Sequence, residues 1–190
     1  WTSRTTAIKK ALEPYGILWD TAALFAEQTR NWMSQPLVSI DAEEVDREAD
    51  NTRRAMAKLV KEFERQEVAE PLNVARELLE QSKTFLEEYA PLMLLLCNPG
   101  LRERHWEEIS QISGLPVKYT PEVNLEEVVG LGLHKFTTEI EDTCVSASKE
   151  YSLEKGMDKM EKEWEPLEFV VKSYRNTGTY IVGGIDEIQT

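Results

Sequence analysis

Apolar residues recur at helical spacing along almost the whole chain, and the places where that spacing fails mark where elements change. Between Gly16 and Gln35 the stripe is Leu18, Ala22, Phe25, Thr29 and Trp32, in steps of four, three, four and three. Trp19, Ala26 and Met33 flank it and widen it into a core-facing band. Pro36 ends that helix, because proline lacks the N–H that the next turn would need. Asp41, with Glu44 three residues on, reads as a capping box. The helix it opens carries Val45, Ala49, Thr52, Met56, Leu59 and Phe63 down one side to about Gln66, with charged residues on its other faces. Pro71 is placed to be the first residue of a third helix, whose seam is Ala75, Leu78, Ser82, Phe85 and Tyr89. Pro91 is expected to kink or end it.

A short apolar run, Leu92 to Cys97, stops just before Asn98-Pro99-Gly100-Leu101-Arg102-Glu103-Arg104-His105-Trp106. Asn98 suits an N-cap and Pro99 the first helical turn, so the stretch reads as a joint between two helices. The helix that it opens sets Leu101, His105, Ile109 and Ile112 on one face with Trp106 beside them, and Gly114 and Pro116 close it. Val117 to Val123 reads as a loop. Asn124 to Glu127 repeats the capping pattern and opens a short helix that Gly130 and Gly132 break. Two more helices are expected, one carrying Leu133, Phe136, Ile140, Cys144 and Ala147, the next Leu153, Met157, Met160 and Trp164, and Pro166 stops the second.

The period then changes to two. Leu167, Phe169 and Val171 alternate with Glu168, Val170 and Lys172, Arg175-Asn176-Thr177-Gly178 supplies a turn, and Thr179 to Val182 returns. A lone hairpin is marginal in water, so this one is expected to lean on other structure. The fold class is therefore mainly α: an elongated antiparallel helical bundle over residues 1–166, a β-hairpin over 167–184, and the start of a further element over 185–190. A chain that opens at Trp1 and stops within an element reads as a piece of something larger.

Composition narrows the function more than the fold. A chain of 190 residues suits one domain or two tightly joined ones, and could bury about 70% of the surface its unfolded form exposes. The net charge is 22 − 35 = −13. Phosphate backbones would repel it, and no basic stripe offsets that, so nucleic acid is not an expected partner; the acidity mainly implies a solvated surface, a basic partner being the lesser reading. Cys97 and Cys144 lie in or beside apolar stretches, and they are expected to be two reduced, partly buried thiols rather than part of a disulfide framework. The longest apolar run is far too short to span a membrane.

Candidate chemistry is sparse. There is no G-x-x-x-x-G-K-[ST] loop; Gly130-Leu131-Gly132 follows no strand, and Gly183-Gly184 precedes no helix that could cradle a phosphate. There is no H-E-x-x-H or C-x-x-C. The residues three before His105 and His134 are Arg102 and Leu131, so the Glu-x-x-His pairs of a di-iron bundle are absent. The cluster Glu161, Glu163 and Glu165 reads as a solvated face. His105 shares a face with Leu101 and Ile109, and reads as a packed histidine holding a neighbouring backbone group rather than as an acid or base. Trp106 reads as a packing anchor. Arg102 and Arg104 are placed to pair with acidic helices or with a partner, a contact worth about 0–1 kcal/mol when exposed. The aromatic and methionine stripes read as core, because each helix shows one such stripe.

The run Asn98 to Trp106, followed by Ile109-Ser110 and Gly114, resembles the signature in the linker region of dynein heavy chains. Pro36-Leu37 with Ile40-Asp41 resembles the start of that family's long helix. Ala147-Ser148-Lys149-Glu150-Tyr151, then Leu153-Glu154-Lys155 and Trp164, resembles its downstream block, and Thr177 to Ile181 with Asp186 to Gln189 its hairpin and exit. The likeness covers the chain from about Gly16, and the proline in the signature resembles axonemal rather than cytoplasmic heavy chains. Gly156 departs from the bulkier residue expected there. In the signature Asn98, Pro99, Leu101, Arg102, Arg104, His105 and Trp106 would be structural residues. The resemblance implies the N-terminal part of a helical arm that bends and straightens across a ring of AAA+ ATPase modules, delivering the power stroke. It implies no catalytic, cofactor-binding or metal-binding residue in this stretch, with ATP and Mg held in the ring. The implied partners are the ring of the same polypeptide and the rest of the linker, with no nucleic acid, membrane or small-molecule ligand, in the cytoplasm and cytoskeleton of the cilium or flagellum axoneme. Two other readings stand beside it: a helical-bundle adaptor resembling spectrin-like modules, and an all-helical enzyme with a carboxylate-lined pocket.

Overall fold

The computed structural model describes residues 2–166 and 170–183. The chain divides into two compact units, Trp1–Ser148 and Lys149–Thr190. The first is helical. It holds α1 (Thr2–Ser34), α2 (Ala42–Gln66), α3 (Ala69–Thr84), α4 (Ala90–Leu96), α5 (Glu103–Ser113), α6 (Leu125–Gly130) and the first part of α7 (Thr137–Trp164). The second holds the rest of α7 and an antiparallel hairpin of β1 (Val170–Tyr174) and β2 (Thr179–Gly183).

The buried positions of α2 are those its periodicity gives: Val45, Ala49, Thr52, Met56, Leu59 and Phe63, with Ala42 before them. Asp41 caps it, its Oδ1 accepting from the Glu44 N–H at 3.1 Å, while the Glu44 carboxylate takes Arg47 instead of reaching back. Glu67 ends the helix in the left-handed region at φ 56°. With only Glu67 and Val68 between them, α2 and α3 form a helical hairpin, tied across by Arg76 and Glu64 at 2.7 Å. α1 buries Leu18, Phe25 and Trp32 and lies against α2, where its Gln28 donates to Glu48 at 2.6 Å. Tyr15 meets the Phe63 ring at 5.3 Å and Trp32 meets Phe85 at the same distance. Phe63, Met56, Leu92, Met93, Ile109, Leu125, Leu133 and Ile140 are fully buried, each contributing about 1.5–3 kcal/mol of transfer free energy.

Several elements differ from the sequence expectation. α1 starts at Thr2, with Pro14 inside it, rather than near Gly16. Trp19 is 57% exposed and Ala26 is exposed, so the band on α1 is narrower than its flanking residues suggested. α3 begins at Ala69, which puts Pro71 two residues into the helix. Pro91 neither ends nor sharply breaks the segment. A π-turn over Phe85–Tyr89, with the Ala90 N–H donating to Phe85 O, widens the helix immediately before the proline. The wider turn accommodates a ring that would collide with the carbonyl four residues back. Residues 137 to 164 form one helix where two were expected, since no proline lies between Ala147 and Leu153 and Gly156 is tolerated.

The hairpin pairs Val171 with Val182, Lys172 with Ile181, Ser173 with Tyr180 and Tyr174 with Thr179. Arg175 to Gly178 make the turn, with Arg175 at φ 48° and Gly178 at φ 72°. The expected strand positions Leu167 to Phe169, and the element over 185–190, lie outside the described residues. No described helix is long and apolar enough to cross a membrane.

Candidate functional site

The Asn98–Trp106 stretch is a joint, built differently from the expectation. α5 starts at Glu103, not at Pro99, and Asn98 does not cap it. Its Oδ1 accepts from the buried Gly100 N–H at 2.9 Å, closing an Asx turn around Pro99. A side chain that caps a turn cannot also cap a helix four residues later. Its Nδ2 donates to Cys144 O and to Ser148 Oγ, both at 2.8 Å, which fastens the joint to α7. Ser148 Oγ donates in turn to Cys144 O at 3.1 Å.

Arg102 takes the N-cap position with extended backbone, and its N–H donates to His105 Nδ1 at 3.0 Å. His105 thus fills the N3 place that glutamate or glutamine holds in a capping box. With Nδ1 accepting, Nε2 is the ring's remaining polar atom. The Arg102 guanidinium donates to Pro99 O at 3.3 Å. Arg102 and Arg104 are exposed, whereas Leu101, His105, Trp106 and Ile109 are buried. Ile112, expected on the same face, is 42% exposed: the buried side of α5 is centred on Ile109 and includes Ser113, leaving Ile112 at its edge. The Trp106 ring meets Tyr119 at 6.1 Å, and its indole N–H is buried without a hydrogen-bond partner. Gly114 closes the helix at φ 68°, with Ser113 Oγ accepting from the Leu115 N–H.

None of this assembles reacting groups. Cys97 and Cys144 are free, and their thiols are pushed up to about 12 and about 11. Burial is the main cause in each, with Asp41 adding to it at Cys97 and Glu141 at Cys144. Such thiols are not nucleophiles near neutral pH. Among the described residues no three His, Cys, Asp or Glu side chains gather where they could hold a metal ion. A groove of about 750 Å³ between α1 and the α3 segment is floored by Phe25, Met33, Phe85 and Tyr89, with Arg30 and Glu77 among its lining residues. It is apolar and holds no nucleophile beside a base. A cleft of about 490 Å³ beside Trp106 includes Glu103, Glu107, Lys118 and Tyr119.

Sequence reading brought out the joint but missed its anchors. Ser148 and the Cys144 carbonyl lie 50 and 46 residues from Asn98, and nothing in the local pattern connects them.

The comparisons with known proteins place the whole of this architecture. The family "Dynein heavy chain, N-terminal region 2" matches residues 5–190. Human dynein axonemal heavy chain 3 is 37% identical over 183 residues, covering 96% of this chain and 4% of that protein. Mouse dynein axonemal heavy chain 1 is 34% identical over 181 residues, covering 94% and 4%. Human dynein axonemal heavy chain 12 is 30% identical over 186 residues, covering 96% and 6%. The chain thus spans only a small fraction of the length of the relatives it matches. With the match running through the signature joint, the α2–α3 hairpin and the β-hairpin alike, this chain belongs to the dynein heavy chain family, as part of its N-terminal linker region.

Proposed function

We propose that this chain is a mechanical element: the N-terminal portion of an axonemal heavy-chain linker that transmits force generated by ATP hydrolysis elsewhere in the same polypeptide. The observation that carries this is the likeness to heavy chains named axonemal over 183 and 181 residues, beside the family match across residues 5–190. The physical character of the first unit supports it. Interlocked helices with Phe25, Trp32, Phe63, Phe85 and Trp106 buried between them make a body that resists deformation, as a lever must. On this reading the signature residues Asn98, Pro99, Leu101, Arg102, Arg104, His105 and Trp106 hold two parts of the lever together. ATP and Mg belong to the AAA+ ring, which is the partner of this arm, and the setting is the ciliary axoneme.

The test uses the full-length heavy chain. Asn98→Ala, which loosens the joint, is expected to slow microtubule gliding several-fold while microtubule-stimulated ATP turnover stays within twofold of the parent. Equal loss of turnover and velocity would refute a purely transmitting role. Saturable ATP binding by residues 1–190 alone would refute the assignment of nucleotide to the ring.

A further inference from the structure

The second half of α7 carries an apolar stripe that the described residues leave uncovered. Leu153, Met157, Met160 and Trp164 are 70, 70, 63 and 52% exposed. Their spacing of four, three and four is that of a coiled-coil seam, with Leu153 and Met160 at d positions and Met157 and Trp164 at a. The stripe does not continue the buried series Ile140, Cys144 and Ala147 of the same helix. That series runs on through Tyr151 and Glu154 to Asp158. Four large apolar side chains in one register are more than the scattered exposure normal for a surface.

The flanks of the seam say what would cover it. The e positions are Glu154 and Glu161, and the g positions are Gly156 and Glu163. The lysines fall on the outer positions: Lys155 and Lys162 at f, Lys159 at c. Lys155 lies over the Tyr151 ring at 5.2 Å, and Lys159 reaches Glu163 at 3.7 Å, an exposed pair that screens the carboxylate only weakly. Glu161 and Glu163 therefore make both edges of the seam acidic over its C-terminal turns. A second copy would set glutamate against glutamate along these edges, and an anionic lipid surface would be repelled.

We propose that this face docks a basic amphipathic helix supplied by another part of the same heavy chain, with apolar residues at heptad spacing and Lys or Arg along both flanks. A segment tethered on the same polypeptide meets the face at a high effective concentration, and this chain is only about 4% of the length of the heavy chains it matches. The inference rests on membership of that family and not on the transmission of force, so its failure would leave the gliding and turnover experiment untouched.

The experiment places the photo-crosslinking residue p-benzoylphenylalanine at position 157 of the full-length heavy chain and maps the adduct by mass spectrometry. The expected product is intramolecular, joining position 157 to a helical segment with Lys or Arg beside its apolar heptad positions. The double substitution Glu161→Lys with Glu163→Lys should lower the crosslinking yield at least threefold at low salt, whereas Lys162→Glu on the outer face should leave it unchanged. An adduct to a second copy, to another polypeptide, to lipid or to a segment without basic flanks would overturn the proposal. So would the absence of an adduct, or a yield that the double charge reversal does not change.

Discussion

Asn98→Ala tests the construction of the joint most directly. The side chain makes three hydrogen bonds: two donated to α7, at Cys144 O and Ser148 Oγ, and one accepted from the Gly100 N–H. Each contributes a net of about 0.5–1.5 kcal/mol, which sums to about 2–4 kcal/mol. Two features set where in that range the cost falls. The Cys144 carbonyl keeps its bond from Ser148 Oγ, so it is not orphaned. The Gly100 N–H is buried and loses its acceptor, which adds about 1–3 kcal/mol for an unpaired donor in place of the bond's net worth. A loss of about 3 kcal/mol is expected. Asn98→Asp separates the two ends of the side chain: it keeps the acceptor for Gly100 but turns a carboxylate toward the Cys144 carbonyl, so at neutral pH it should cost at least as much as alanine. Urea denaturation followed by helical circular dichroism gives both numbers, and a double-mutant cycle with Ser148→Ala isolates the inter-element bond, expected to couple by about 0.5–1.5 kcal/mol. If Asn98→Ala costs less than about 0.5 kcal/mol and the cycle shows no coupling, the joint is not held by this side chain, and the reasoning fails.

Other consequences follow from the same structure. Trp106→Ala should destabilise by about 3–5 kcal/mol in the same assay, and a loss below about 1 kcal/mol would contradict its burial. His105→Gln, which restores a standard acceptor at N3 of α5, should retain much of the stability that His105→Ala loses, about 1 kcal/mol of it from the cap; equal losses in the two variants would argue against the cap. Cys97 and Cys144 should alkylate slowly with iodoacetamide at pH 8 in the folded chain and rapidly in urea. Because folding raises both thiol pKa values, the associated stability is fully present below about pH 9 and is lost as pH climbs toward 11–12; a stability that rises over that window would have the wrong sign. Gly156→Ala should stabilise α7 by about 1 kcal/mol, since apart from the adjoining residues and backbone of the helix itself no atom lies within 4 Å of the added Cβ, and unchanged helix protection in hydrogen exchange would refute this.

The local code of this chain was readable wherever one face of one helix decided the outcome. Val45 to Phe63 went into the core because a 3.6-residue period leaves a helix one apolar side to bury, and Asp41, Asn124 and Gly114 took the capping roles their chemistry favours. The same logic failed where a side chain had two uses. Asn98 can cap a helix or close an Asx turn, and its choice depends on α7 being present to accept from its amide. Pro91 can break a helix or be met by a π-turn, and packing of Phe85 and Tyr89 on their neighbours supports the second. The stripe Leu153 to Trp164 looked like core because periodicity reports that a face is apolar and not whether anything lies against it.

The sequence by itself determined the helical class, the turn residues of the hairpin, the family, and the lack of a nucleotide loop, since all of these are written in local spacing and motif. Only the tertiary structure decided which carbonyl Asn98 holds and which apolar faces remain open. The anchoring of Asn98 turns on residues some fifty positions apart meeting in space, and no local pattern of side chains encodes such a meeting, nor what will lie against an apolar face.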